Sequence, residues 1–197
     1  MTTEELFDGF HTNFWPNGQK ESEGNYKSQK KEGRWIEWHE NGQKCSEGAY
    51  LKVKTGSWRW AFKTEPKYEK KEGLWTVWHS NGNKETEGSY KDGELEGKYT
   101  LWYKNGQKEL ECNYSFSKLY GKHTEWYENG NKKSIKYCRA DYCGGKVSWH
   151  ENGQPNVQGE RVNNKVVGLW TWQDDSGNIT RETFFDNNGN QVWLKEY

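Results

Sequence analysis

An all-β fold, built as an elongated single-layer antiparallel meander of tandem β-hairpins, is predicted by three observations. The chain repeats itself about every 24 residues, an Asn-Gly pair sits at the centre of most copies, and rings outnumber aliphatic side chains. The pairs are Asn17-Gly18, Asn41-Gly42, Asn81-Gly82, Asn105-Gly106, Asn129-Gly130, Asn152-Gly153 and Asn188-Gly189, with Ser176-Gly177 standing where another is expected. A repeat of this length marks one supersecondary unit that buries its apolar face only by stacking on its neighbours.

Each unit reads as a hairpin. Asn-Gly supplies two residues that tolerate positive φ, the demand of a two-residue type I′ turn, and Trp, Tyr, Val, Ile and Thr flank it. The incoming strand starts at a glycine eight residues before the Asn, as at Gly33, Gly73, Gly97 and Gly121, and the outgoing strand ends near a Tyr nine residues after it. That register sets Trp35 opposite Gly48, Trp75 opposite Gly88, Tyr50 opposite Gly33 and Tyr90 opposite Gly73, so each ring can lie on a bare glycine. A type I turn followed by a glycine bulge would shift the pairing and put Glu47 opposite Trp35. The first register is preferred because it explains the glycines.

Strand alternation then sorts the faces. One face carries Trp35, Trp75, Tyr99 and His123, together with His39, His79, Tyr103 and Tyr127 and the tyrosines that close each hairpin. The other carries Phe14, Trp38, Trp78, Trp102, Trp126 and Trp149, with Ile36, Val77, Leu101 and Val147 and glutamates such as Glu85 and Glu87. A meander of roughly 15 to 17 strands is expected.

The whole of 1–197 reads as a single array: an N-terminal cap over 1–9, hairpin repeats over 10–178 and a C-terminal capping hairpin over 179–197. Within it, 51–72 is a degenerate unit. Gly56-Ser57-Trp58-Arg59-Trp60 begins like the others, but Lys63-Thr64-Glu65-Pro66-Lys67 replaces the Asn-Gly turn. Irregularity in a regular array is a natural place for specific function.

Composition narrows the function classes. With 13 Trp, 12 Tyr and 7 Phe against a single Met, burial must come from flat rings. Lys plus Arg equals Asp plus Glu at 29 each, which removes the electrostatic case for a nucleic-acid or anionic-membrane partner. The acidic start has no secretory pattern and no apolar run approaches a membrane span, so a cytoplasmic protein is expected. Cys45, Cys112, Cys138 and Cys143 are irregularly placed, which speaks for reduced thiols, although Cys138 and Cys143 can flank a turn and pair on oxidation.

Chemistry is hard to find. His39, His79 and His150 recur at one repeat position, but equivalent positions in successive hairpins lie about 10 Å apart, whereas zinc ligands sit about 2 Å from the metal. These histidines read as stand-ins for the Tyr of other units, a ring with a polar edge. Cys138, Cys143 and His150 lack a fourth ligand. No nucleophile elbow, phosphate-binding glycine loop or zinc-protease motif is present. No catalytic residue, metal or cofactor is therefore assigned, and the chain is not expected to be an enzyme.

The units Trp35-Ile36-Glu37-Trp38-His39-Glu40-Asn41-Gly42-Gln43-Lys44, Trp75 to Lys84, Tyr99 to Lys108 and Thr124 to Lys132 resemble the bacterial MORN-variant repeat found in the YwqK-type antitoxin family. The resemblance runs from about Phe10 to Thr183 and implies a non-enzymatic protein of β-hairpin repeats. It implies an antitoxin or immunity protein whose partner is a cognate toxin encoded nearby. Departures from the pattern are the turnless unit over Trp58 to Lys70, a one-residue deletion near Gly144-Gly145, and Pro155 in place of Lys.

Two further classes compete: a MORN-type scaffold or membrane-associated module, against which the zero net charge argues, and a carbohydrate binder using exposed rings. For a toxin partner, the expected contacts are Trp58, Trp60, Phe62 and Tyr68 in the degenerate unit. Next come the repeated rings Trp35, His39, Trp75, His79, Tyr99, Tyr103, His123 and Tyr127.

Overall fold

The computed structural model describes residues 8–52, 69–140, 142–163 and 165–197. They form fifteen strands and, among the described residues, no helix. The strands are β1 Gly9–Phe14, β2 Lys20–Lys27, β3 Lys30–Trp38, β4 Lys44–Tyr50, β5 Lys71–Trp78, β6 Lys84–Lys91, β7 Glu94–Trp102 and β8 Lys108–Ser115. They continue as β9 Lys118–Trp126, β10 Lys132–Arg139, β11 Tyr142–Trp149, β12 Pro155–Val162, β13 Lys165–Gln173, β14 Ile179–Phe185 and β15 Gln191–Glu196. They lie in chain order in one antiparallel sheet, the meander that the repeat predicts. The chain divides into two compact units, Met1–Glu96 and Gly97–Tyr197.

The Asn-Gly turns differ from expectation in type. In the first unit the Gly42 N–H donates to the His39 carbonyl at 2.8 Å, and the His39 N–H to the Gln43 carbonyl at 2.8 Å. Only Gly42, at φ 81°, has positive φ; Asn41 does not. This is a type I turn with a glycine bulge, not a type I′ turn. The predicted pairs nevertheless occur: Trp35 with Gly48 and Gly33 with Tyr50, and likewise Trp75 with Gly88 and Gly73 with Tyr90. A second irregularity restores them. Trp38 pairs with Lys44 but Glu37 pairs with Ser46, so Cys45 is an extra residue that cancels the shift made at the turn.

Type I′ geometry appears at the opposite ends of the strands. Ser28 and Gln29 have φ of 49° and 61°, and in the second unit Phe116 and Ser117 have 49° and 59°. Both are two-residue links between directly paired ends, Lys27 with Lys30 and Ser115 with Lys118. The right-handed twist of the flanking strands selects this turn even where the residues are poor at positive φ.

The repeated glycines fall into two classes. Gly33 and Gly73 have φ of 66° and 70°, and nothing lies within 4 Å of where a Cβ would stand. They serve the backbone, not a ring: β3 carries two extra residues, Gly33 and Arg34, between its pairs Trp35–Gly24 and Glu32–Asn25 with β2. Gly24 and Gly48 do lie under rings, where a Cβ would collide with the indoles of Trp35 and Trp75 respectively. Each indole thus covers the glycine of the preceding hairpin. In the second unit, Trp170 covers Gly159 in the same way.

Two face assignments change. Val77 and Leu101 alternate with Trp75 and Tyr99, pairing with Thr86 and Leu110, so they share the face of those rings. Thr76, Thr100 and Thr124 hold the opposite face there and are buried. The 40-residue step between Asn41 and Asn81 adds no strand between β4 and β5: Tyr50 pairs with Lys71, and the Leu51 N–H donates to the Lys70 carbonyl at 2.9 Å. Trp58, Trp60, Phe62 and Tyr68 lie outside the described residues.

The C-terminal hairpin forms where it is predicted, around a turn closed by the Asp186 N–H on the Asn190 carbonyl at 2.9 Å. Cys138 and Cys143 are direct cross-strand partners and form a disulfide, which corrects the expectation of reduced thiols. The two cysteines stand at the end of the β10–β11 pair, in the directly paired positions that Tyr26 and Lys31, and Tyr114 and Leu119, hold elsewhere. Cys45 and Cys112 are free thiols.

Candidate interaction surface

The rings six residues before each Asn build the interior of the sheet. Trp35 is 1% exposed, and its indole N–H donates to the Asn25 carbonyl at 3.2 Å. Tyr26 meets it edge-on at 4.9 Å, and the Lys31 ammonium stands 4.4 Å from its centroid. Trp75 repeats the arrangement with the Ala49 carbonyl at 2.9 Å, Tyr50 at 5.0 Å and Lys71 at 4.4 Å. An edge-on ring contact contributes about 0.5–1.5 kcal/mol beyond area burial, so these clusters are stabilising units of the fold. Trp35, Trp75 and His123, expected as contacts for a partner, are buried and offer it almost no surface. Tyr99 is half-buried and packs edge-on against Tyr114 at 5.8 Å.

The two lysines over these rings titrate in opposite directions. Burial pulls Lys31 down, but the hydrogen bond and charge of Glu37, at 3.0 Å, outweigh it and leave its pKa raised. Glu37 is the mirror case: burial favours its neutral form, yet Lys31 and the Ser46 hydroxyl hold its pKa below the ordinary value. Lys71 has Val77 at the position equivalent to Glu37, and burial lowers its pKa.

The rings two residues before each Asn are links between hairpins. The Tyr103 hydroxyl donates to the Trp126 carbonyl at 2.8 Å, and that of Tyr127 to the Trp149 carbonyl at 3.0 Å. His39 Nε2 lies 2.8 Å from the Trp78 carbonyl, and His150 Nε2 lies 2.8 Å from the Gln173 carbonyl. Histidine and tyrosine interchange here because each brings one polar ring edge to the same carbonyl. His79 Nδ1 lies 3.5 Å from a Glu85 carboxylate oxygen.

The asparagines make a second line of links. Asn41 Oδ1 accepts from the Gln43 N–H at 3.0 Å, while its Nδ2 donates to the Ser80 carbonyl of the next hairpin at 2.7 Å. Asn17 reaches Glu40, Asn105 reaches Glu128, Asn129 reaches Glu151 and Asn152 reaches Asp175 in the same way. Asparagine suits this place because one amide accepts within its own turn and donates to the next.

On the other face, rings and charges are mostly paired. Lys44 stands over Trp78 at 5.2 Å and bridges Glu47 at 2.6 Å; Lys108 stands over Trp126 at 5.7 Å and bridges Glu111 at 2.6 Å. The ends of β9, β10 and β11 break this order. Tyr120, Tyr137 and Tyr142 are 57%, 60% and 69% exposed, and Lys122 and Arg139 are exposed between them. A cleft of about 500 Å³ opens there, lined by Tyr137, Arg139, Tyr142, Gly144 and Asn163 beside the disulfide.

None of these rings was singled out from the sequence, though a signal existed. Tyr120 stands where three other units have Glu32, Glu72 and Glu96. Tyr137 stands where four have Asn25, Ala49, Ser89 and Asn113.

A family model described as a MORN repeat variant matches residues 8–28, 31–52, 71–92, 95–115, 119–137 and 166–187, more than half of the chain. No curated protein matches. Cys138, Arg139, Tyr142 and Cys143 fall in the interval between the last two matched segments.

Proposed function

The chain belongs to the MORN repeat variant family, and on that footing we propose that it is an antitoxin or immunity protein that neutralises a cognate toxin by direct binding. Its repeats make it a binding scaffold. One observation carries the antitoxin reading. Asparagine and ring links such as Asn41 to Ser80 and His39 to Trp78 tie one hairpin to the next, so exposed rings are displayed on a framework that does not reorganise on binding. A preorganised surface with aromatic anchors and charges suits tight, selective protein recognition. In this reading the protein acts in the cytoplasm, stoichiometrically, without cofactor or catalysis.

Co-expression with the product of the adjacent gene tests it. The neighbour should arrest growth alone, and this protein should restore growth while co-purifying with it. A harmless neighbour, or toxicity unchanged by co-expression, removes the reading.

A further inference from the structure

The geometry points to the exposed face at the ends of β9, β10 and β11 as the docking surface for an acidic polypeptide segment of a partner protein. This rests on the binding-protein reading above and names the surface and the chemistry of what it takes.

Strand register arranges five side chains as a grid. Tyr120 pairs with Arg139, which pairs with Tyr142; two residues along, Lys122 pairs with Tyr137, which pairs with Gly144. Directly paired residues project to the same face, as do residues two apart on one strand. Three phenols and two cations therefore share a patch roughly 10 Å by 7 Å, and at its sixth position, Gly144, the Arg161 backbone carbonyl lies where a Cβ would stand. The cleft lined by Tyr137, Tyr142 and Gly144 opens beside these side chains.

Three features set the patch apart. Among the described residues, Tyr120, Lys122, Tyr137, Arg139 and Tyr142 make no hydrogen bond, ion pair or ring contact with their side chains, whereas Lys20, Lys44, Lys84 and Lys108 are each bridged to a glutamate. The grid has two positive charges and no carboxylate; Asp141, in the turn beyond it, lies outside the described residues. The disulfide ties β10 to β11 at this end, so the rings are held in place before any partner arrives.

Tyr and Arg are the side chains most enriched at binding hot spots, and unpaired cations on a neutral protein call for a carboxylate-bearing partner. A polynucleotide fits less well, because phosphate binding draws its strength from many cations acting together, and the grid has two.

Fluorescence anisotropy of a fluorescein-labelled random Glu–Tyr copolymer at low salt tests the assignment. The full-length protein should bind it, with affinity falling as salt rises. The double variants K122E/R139E and Y137S/Y142S should each weaken binding by at least about tenfold. All four residues are exposed, so unchanged melting and tryptophan fluorescence should accompany the loss. Lack of copolymer binding by the wild type, or equal binding by both variants, overturns the proposal. So does an oligothymidylate that displaces the copolymer and shares its dependence on the four residues, which would make the patch a nucleic-acid site. The toxin reading fails separately: copolymer binding that follows these residues, in a protein that rescues no toxin, supports the surface and strikes only the identity of the partner.

Discussion

The Trp75 indole lies on Gly48, the residue that Trp35 faces across the β3–β4 ladder, so one glycine serves two successive tryptophans. Its backbone takes the register of its own hairpin, and its missing side chain makes room for the next. Trp35 and Trp75 are joined through this overlap.

Gly48 and Gly33 should therefore respond differently to the same substitution. Gly48→Ala places a methyl in the Trp75 ring, and overpacking of this kind costs about 1–3 kcal/mol. Trp75→Leu in the same chain should recover part of that loss. Gly33→Ala meets no atom but forces φ 66° on an L-residue, costing roughly 1–2 kcal/mol. Gly33→Asn should be milder, because Asn tolerates that region. Urea midpoints of the single and double variants would show it; rescue of Gly33→Ala by Trp75→Leu would contradict the two-class reading.

The asparagine links predict a separation of two functions in one amide. Asn41→Asp keeps the acceptor for the Gln43 N–H but loses the donor to Ser80, whereas Asn41→Ala loses both. At about 1 kcal/mol per hydrogen bond, Asp should cost about half of what Ala does. Hydrogen exchange at the Gln43 amide would discriminate: protection should survive in the Asp variant and fall in the Ala variant.

The register was legible in the sequence, and the turns that produce it were not. Trp35–Gly48 and Gly33–Tyr50 follow from the spacing of rings and glycines because the bulge at Gly42 and the extra Cys45 cancel. Asn-Gly alone does not separate the two turns, since type I′ needs positive φ at both residues and a type I turn with a bulge needs it only at the glycine. Of the links with positive φ at both residues, Ser28-Gln29 and Phe116-Ser117 lack favourable residues and are imposed by strand pairing, whereas Asp92-Gly93 has them. The surface was missed for a related reason. Tyr120 and Tyr137 look like further rings in a ring-rich chain until register shows them displacing a Glu and a small residue beside unpaired cations.

Lys31 and Lys71 hold one repeat position and differ in the residue that faces them. The Lys71 pKa is lowered by burial, so the unfolded chain holds its proton more tightly and stability rises with pH through the window below 10.5. Val77→Glu supplies the carboxylate that Glu37 gives Lys31, with Thr86 opposite it in place of Ser46. The Lys71 pKa should then rise. The stability it contributes becomes fully present below the unfolded lysine pKa and is lost as pH climbs through the folded one. NMR titration of the Lys71 side chain in both proteins checks the reversal; an unchanged midpoint would mean that residue 77 does not face Lys71.

His123 carries the acid sensitivity of the second unit. It is 6% exposed, and its Nδ1 has no hydrogen-bond partner; the nearest carboxylate oxygen, on Glu125, stands 3.7 Å away. Burial lowers its pKa from 6.5, and the Lys136 charge lowers it further. The unfolded chain therefore takes up the proton first, so stability falls as pH drops below 6.5 and levels off once the folded histidine has also protonated. His123→Tyr installs the ring that Tyr99 provides at the same repeat position and removes this titration. Thermal unfolding should show the variant losing less stability than wild type between pH 7 and pH 5. Parallel pH profiles for the two proteins would assign the acid sensitivity elsewhere.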